Sequence, residues 1–494
     1  MSTSIHKKTV LGQFFTPPSI SRFMASLFRL DGISEIRLLD PGAGTGNLSC
    51  AFMEHLLNSN NDLSSVHVDC CEMDAGVVPQ LGRQMSHFES STGNRPNCID
   101  IRILESDFIE TAVRSLSDHL GIDEDRLPSY THCILNPPYQ KISSQSRHQR
   151  LLQSIGLDVP NYYSAFTALA IMLLAPNGEM AAILPRSFCN GTYFARFRKF
   201  LLENMSLRRL HVFESRKNIF DGDVLQENIV LYAIKKRTQE PLVVLSSSRD
   251  ATFQGYTEKT VPFTEIVRSG DKDRFINIPI METDKIVLQR IGAFQQTLEN
   301  LGMHVGTGPV VDFRLSDSIC MEGECPLIYP YHLKNGTVVW PKTHTKKSDR
   351  ILRNPLTQKW LLPNQCYTLV KRFSAKEEQR RIVAAVYHPA TTSAQFIGIE
   401  NHLNVFHGME HRGLDPFMAT GLAVYLNSTL VDMAFRQFSG HTQVNASDLR
   451  RLPYPDPETL CQWGTEYFRH FPKQEDIDTV VERSVATKGV FHDG

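Results

Sequence analysis

The chain carries almost no net charge: 52 Lys and Arg stand against 53 Asp and Glu, for a formal balance of -1. That excludes the overall basic character of a protein that coats nucleic acid, so any basic surface has to come from local clustering. Long apolar runs are missing too. The longest, from Ala165 to Ala175, is interrupted by Thr167 and stops at Pro176, too short to cross a bilayer. Met1 to Val10 lacks the apolar stretch of a secretory signal. The 10 cysteines, among them Cys50, Cys70, Cys71, Cys98, Cys133 and Cys189, follow no repeating spacing, which reads as reduced thiols in a cytoplasmic protein. Cys320 and Cys325 lie close together, but no second Cys/His pair at zinc spacing follows, so no metal is expected. Internal repeats and low-complexity segments are absent.

What is present is a regular alternation of strands and helices. With 494 residues, 41% of them hydrophobic, the chain has material for at least two domains. Strands are predicted at Ile36–Leu39, Val66–Cys71, Ile101–Leu104, His132–Leu135, Met180–Leu184, Leu210–Phe213 and Ile229–Ile234. Helices are predicted at Leu48–Leu57 and Tyr163–Leu174. This pattern implies an α/β fold with a doubly wound, Rossmann-like first domain, whose ligands sit beyond the carboxyl ends of the strands. The alternation fades after Lys235-Lys236-Arg237, which puts the domains at 1–240 and 241–494. The second, a mixed α+β domain, has a strand candidate at Leu242–Leu245 and a late helical segment from Ala419 to Phe438.

Chemistry-bearing residues fall at the strand ends. Asp40-Pro41-Gly42-Ala43-Gly44-Thr45-Gly46 leaves the first strand and opens a helix, and its glycines permit a tight turn and a close backbone approach to a ligand. Alone, such a loop is as much a tight connection as a site. Glu72 ends the next strand, where a carboxylate can accept from both hydroxyls of a ribose. Asp107 follows the third, where it can accept from an adenine amino group while Phe108 covers a ring face. Each acid taken singly is a solvated strand end or a helix cap. One per strand end, in register, points to a bound nucleoside. The G-x-G-x-x-G spacing of a dinucleotide site is lacking.

Asn136-Pro137-Pro138-Tyr139 closes the fourth strand. The exocyclic amine of adenine is a poor nucleophile, because its lone pair is delocalised into the ring. The side-chain carbonyl of Asn136 and the backbone carbonyl of Pro137 can each accept one amine hydrogen and localise that lone pair. The prolines stiffen the loop, and Tyr139 offers an aromatic face. The plain alternative is a strand-ending turn. An adenine inside a duplex would have to be extruded to reach this loop, and a second aromatic would help to hold it. Phe220 is the candidate, weighed equally against an ordinary core Phe.

This set resembles the gamma-class N6-adenine DNA methyltransferases of type II restriction–modification systems, the PstI/BsuBI kind in particular. The resemblance begins at Gly12-Gln13-Phe14-Phe15-Thr16-Pro17-Pro18 and takes in Asp40 to Gly46, Glu72, Asp107-Phe108 and Asn136 to Tyr139. Downstream it includes Ala181 to Gly191, His211 to Arg216 and Val224 to Ile229. It implies S-adenosylmethionine as cofactor, with Thr16, Asp40, Gly42, Gly44, Glu72, Asp107 and Phe108 around it. It also implies Asn136, Pro137 and Tyr139 as the catalytic loop, with Phe220 at the base-stacking position. In the second half, Gly308 to Arg314 and Ser439 to Asn445 resemble target-recognition segments, so 241–494 is expected to read DNA and 1–240 to carry catalysis.

Between Lys334 and Arg353 the basic residues Lys334, Lys342, Lys346, Lys347, Arg350 and Arg353 face a single acid, Asp349, with Trp340 interleaved. Such a stretch can neutralise phosphates; alone it reads as a solvated loop. Lys371-Arg372, Arg380-Arg381 and Arg450-Arg451 are further basic pairs, and His441 and Gln443 are possible DNA contacts. The expected partners are double-stranded DNA and a separate cognate restriction endonuclease, with the protein itself a monomer and no membrane involved. Three competing readings are weighed. A fused nuclease lacks an acidic–lysine triad in the second half. An RNA or protein-glutamine methyltransferase would use the same Asn-Pro-Pro-Tyr chemistry. A non-catalytic nucleic-acid-binding module would keep only a vestigial cofactor site.

Overall fold

The computed structural model describes residues 15–59, 63–91, 99–118, 126–213, 227–236, 238–268, 270–278, 282–342, 347–374, 380–438 and 443–489. The chain divides into two compact units, Met1–Ile280 and Met281–Gly494. The first unit thus continues past residue 240, because two strands beyond that point extend its sheet.

That sheet contains β1 (Glu35–Pro41), β2 (Ser65–Cys71), β3 (Ile99–Leu104), β4 (Tyr130–Leu135), β5 (Leu174–Pro185), β6 (Met205–Phe213), β7 (Asn228–Lys235), β8 (Leu242–Ser248) and β9 (Thr257–Pro262). Its 9 strands lie in the order β3-β2-β1-β4-β5-β7-β6-β8-β9. The strands from β3 to β5 are parallel, and β7 runs antiparallel to both β5 and β6. The parallel strands lose the polar–apolar alternation toward their carboxyl ends, as in Leu38-Leu39 and Cys133-Ile134-Leu135, because helices cover both faces. Leu39 and Leu135 pack with the helices Phe108–Ser117 and Tyr162–Leu173, whereas Leu38 and Ile134 pack with Pro18–Ala25 and Asn47–Asn58. The helix Tyr162–Leu173 is apolar nearly all round and is almost wholly buried.

The described residues of the second unit form two sheets. Its strands are β10 (His304–Thr307), β11 (Cys325–Ile328), β12 (Leu333–Lys334), β13 (Thr337–Val338), β14 (Arg350–Ile351), β15 (Leu361–Pro363), β16 (Tyr367–Lys371), β17 (Ala384–Tyr387), β18 (Phe396–Ile399) and β19 (Leu403–His407). One sheet has the order β10-β19-β16-β17-β13-β12 and the other β14-β11-β18-β15. The helical segment predicted over Ala419–Phe438 is two helices, Pro416–Leu426 and Thr429–Phe438. Asn427 interrupts it: its side chain accepts from Ala384 N at 3.1 Å and donates to Ala384 O at 2.9 Å, trading helix continuity for an anchor on β17. Among the described residues no helix is long and apolar enough to cross a membrane.

The helices Pro416–Leu426 and Pro457–Tyr467 meet backbone to backbone. A Cβ on Gly421 would stand 1.9 Å from Leu460 O, and one on Gly464 would stand 1.8 Å from Phe417 O. Alanine is the better helix former by about 1 kcal/mol, but the overlap costs about 3 kcal/mol, the upper end for overpacking. Gly421→Ala is therefore expected to destabilise the second unit in denaturant titration. A variant as stable as the parent chain would refute the close contact.

Candidate active site

Strand order reverses between β1 and β4, whose neighbours Leu38 and His132 pair directly. Crossovers leave such a point toward opposite faces, and a crevice opens at the carboxyl ends of the two strands. The glycine loop leaves β1 there. Gly42 N and Ala43 N donate to Cys71 O at 2.9 and 2.8 Å, which pins the turn to the end of β2. Gly44 has φ 56° and lies so close to Phe15 that a Cβ would stand 3.2 Å from its ring. Glu72 accepts from Gly44 N at 2.9 Å through one carboxylate oxygen and from Asp74 N at 2.7 Å through the other. Burial pushes its carboxyl up, and these backbone donors offset only part of the shift. Asp40 lies fully buried, its Oδ2 accepting from the Ser49 hydroxyl at 2.6 Å and its Oδ1 without a partner.

Asp107 caps the helix Phe108–Ser117, with Oδ1 accepting from Ile109 N at 2.9 Å and Glu110 N at 3.2 Å. Its Oδ2 pairs with His148 Nε2 at 2.9 Å, and His148 Nδ1 lies 2.9 Å from the Tyr162 hydroxyl. Burial alone would raise the Asp107 carboxyl, but the His148 contact and the helix N–H groups outweigh it and hold the group below its ordinary value. The same hydrogen bond raises His148. Phe108 is buried, its ring centroid 5.0 Å from that of Phe166. Phe166 is also the ring that a Cβ on Gly42 would meet, at 3.5 Å.

Asn136 follows β4 directly. Its Nδ2 donates to Thr16 Oγ1 at 3.0 Å, and the Tyr139 hydroxyl donates to its Oδ1 at 3.2 Å. The amide plane is thus held from both ends. Thr16 also accepts through its backbone oxygen from Asn47 Nδ2 at 2.9 Å, and Asn47 is the first residue of the helix after Gly46. One residue therefore ties the 136–139 turn to the glycine loop. Pro137 is buried, and Tyr139 stands edge-on to Tyr163 at 6.3 Å between centroids. Phe220 lies outside the described residues. Sequence reasoning passed over Asn47, His148, Tyr162 and Phe166. The one available signal was Asn161-Tyr162-Tyr163, a polar–aromatic cluster opening an otherwise apolar helix.

In the second unit several flagged basic groups are engaged within the fold. Lys342 Nζ donates to Tyr331 O at 2.6 Å, Arg350 lies 4.8 Å over the Trp340 ring and Arg353 lies 4.2 Å over Phe396. Asp349 is buried and accepts from Lys342 N at 3.0 Å. Arg381 is fully buried, its backbone N donating to Asp432 at 2.7 Å, and the half-buried Arg380 donates to Ser428 O at 2.9 Å, so both are engaged within the fold. Arg450 donates to Val305 O at 3.2 Å. Lys346 and His441 lie outside the described residues.

The family described as Eco57I restriction-modification methylase matches residues 108–220. Over 484 residues the chain is 41% identical to the type II methyltransferase M.PstI of Providencia stuartii, spanning 97% of this chain and 93% of the relative. It is 41% identical over 484 residues to M.BsuBI of Bacillus subtilis, spanning 97% and 94%. The structure of the type IIL restriction-modification enzyme MmeI in complex with DNA superposes with a TM-score of 0.51 at 11% identity, covering 96% of this chain and 72% of that one. At that identity the likeness bears on the fold alone.

Burial lifts the Asp40 carboxyl from 3.8 to about 7, against the Ser49 hydroxyl and N–H. A carboxyl raised in the folded state gives its full stability contribution below its unfolded value and loses it as pH rises through about 7. Asp40→Asn cannot ionise. Its stability relative to the parent chain is expected to rise as pH goes from 3.8 to about 7. Calorimetric melting of both proteins across that range checks this, and a constant difference would contradict it.

Proposed function

Because the chain belongs to the type II restriction–modification methyltransferases, we propose that it moves a methyl group from S-adenosylmethionine to the exocyclic N6 of an adenine extruded from duplex DNA, protecting that DNA from a cognate endonuclease. The observation that carries this reading is the Asn136 amide, held between the Thr16 and Tyr139 hydroxyls at the end of β4 and joined through Thr16 to the glycine loop.

The residues around that loop fit the cofactor. Gly44 lets the backbone come close where a side chain would strike Phe15, and Asp40 Oδ1 is a buried acceptor without a donor. Gly42 and Gly44 would give the close approach, with Asp40 beneath them. Glu72 would take the ribose hydroxyls. Asp107 would take the amino group of the cofactor's adenine through Oδ2, the oxygen it shares with His148, with Phe108 against the ring. Thr16 would lie beside the methionine end. When bound, S-adenosylmethionine supplies an electrophilic methyl carbon on a sulfonium.

The chain's own part is to make the amine nucleophilic. The Asn136 side-chain carbonyl and the Pro137 backbone carbonyl accept its two hydrogens, draw the nitrogen toward tetrahedral geometry and localise its lone pair. These acceptors are set in place before substrate arrives, by a proline that cannot donate and by two hydroxyls on one amide, so little reorganisation remains in the reaction. Burial keeps the Tyr139 phenol protonated and therefore a donor to Asn136. Its ring, beside Tyr163, would stack on the extruded base.

Labelled cofactor and duplex DNA, followed by digestion to nucleosides, are expected to yield N6-methyldeoxyadenosine. Label on cytosine, or preferential transfer to RNA or to a release-factor protein, would refute the assignment. Asn136→Ala is expected to lower kcat by about 100-fold or more while calorimetry still shows cofactor binding; near-normal turnover would contradict it. Tyr139→Ala is expected to weaken the fluorescence gain of an adenine analogue at the target position, and an unchanged signal would count against stacking.

A further inference from the structure

The two second-half segments singled out in the sequence, 308–314 and 439–445, are more than 120 residues apart, yet their described parts build one edge of the second unit. Gly308 N donates to Leu403 O at 2.8 Å and Val310 N to Ile399 O at 3.0 Å, so the first segment runs along the turn between β18 and β19. The approach needs Gly308, since a Cβ there would stand 2.3 Å from Glu400 O. On the other side, Arg372 N donates to His402 O at 2.9 Å and Val444 N to Arg372 O at 2.7 Å, so the end of β16 bridges that turn to the second segment. Asn404 Nδ2 donates to Val444 O at 2.7 Å, and Phe373 pairs with Gln443 across an isolated bridge.

The buried members of both segments thus act as fastenings, and what they display is unusual. Phe313 is 72% exposed and Phe373 45% exposed. Each has an arginine over its ring, Arg314 at 5.6 Å and Arg372 at 5.9 Å. His402 stacks on Phe373 at 4.9 Å between centroids. Lone exposed aromatics are ordinary, but two on one edge, each paired with a guanidinium, form an apolar and cationic surface. The described acids of the two segments and of the turn they border are engaged: Asp312 pairs with Lys347, and Glu400 is buried and bonded to His402. Positive charge is left locally on a chain whose overall balance is -1, which suits a polyanion. The Arg372 fork is spent inside the edge, its Nη1 donating to Asn401 O at 3.2 Å and its Nη2 to Gln443 Oε1 at 3.5 Å, whereas the exposed rings and the Arg314 fork match what base edges offer: apolar contact for a thymine methyl and a bidentate partner for guanine O6 and N7.

We infer that this edge, with Phe313, Arg314 and Phe373 as its contact residues, reads base edges of duplex DNA and sets the sequence at which the chain acts. The inference rests on the proposed DNA methylation and deepens it. Phe313 and Arg314 are exposed on a short turn, so Phe313→Ala with Arg314→Ala leaves the fastenings untouched. Sequencing of modified bases in a host expressing the parent chain gives its modified sequence. The double variant, expressed in the same way, is expected to modify a degenerate sequence, or to lose about tenfold or more of its rate on a short duplex carrying the parent sequence. On a duplex with that sequence scrambled its binding should match the parent's, and calorimetry should show unchanged cofactor affinity. An unchanged sequence and rate, or equal loss of binding on both duplexes, would overturn base reading while methylation stood. A parent chain that leaves no modified base in DNA would instead sink the methylation reading, and this inference would fall with it.

Discussion

Neighbouring strands that send their crossovers to opposite faces leave a gap that no helix covers, and here that gap lies between β1 and β4. The rest of the site depends on it. Asp40 and Asn136 are 96 residues apart in the chain (136 minus 40). They come to the same end of the sheet because their strands are adjacent and parallel, and the glycine loop and the Asn-Pro-Pro-Tyr turn are what each strand does on leaving it. A single neutral hydrogen bond adds only about 1 kcal/mol net, so no polar contact among these residues could assemble them against the topology. What the contacts add is orientation: Thr16 joins the two loops, and Glu72 fastens the first of them to the end of β2.

Much of this was legible from residue order. The glycines at 42, 44 and 46 adopt positive φ, as a tight strand-to-helix turn requires. The predicted strands from Ile36 to Ile234 lie within observed ones, because strands buried on both faces, the antiparallel β7 among them, leave continuous apolar runs. What was not legible are pairings across long separations. Nothing near Thr16 marks it as the acceptor for an amide 120 residues away, and nothing near His148 announces Asp107. The domain boundary was set too early because β8 and β9 follow a basic, turn-like stretch yet still add to the first sheet. Arg381 reads as surface charge and is buried: its backbone N donates to Asp432, on a helix 51 residues on, and its Nε donates to Ser374 Oγ at 3.1 Å.

The two ends of the Asp107 carboxylate illustrate how one side chain serves fold and chemistry at once. One oxygen caps a helix and the other meets an imidazole. The capping role is local and common, and the imidazole contact carries the information. It keeps the acid ionised despite burial, which suits the acceptor role proposed for it.

The glycine-to-carbonyl contact between the helices Pro416–Leu426 and Pro457–Tyr467 has a bearing on how such a chain can change over generations. A framework locked where main chains touch, as at Gly421 and Gly464, asks little of the side chains it displays elsewhere. Substitutions at outward positions such as 313 and 373 therefore proceed without renegotiating the interior. Under the base reading proposed for that edge, descendants of one ancestral architecture are free to drift toward new addresses on the genome while keeping the same internal girders.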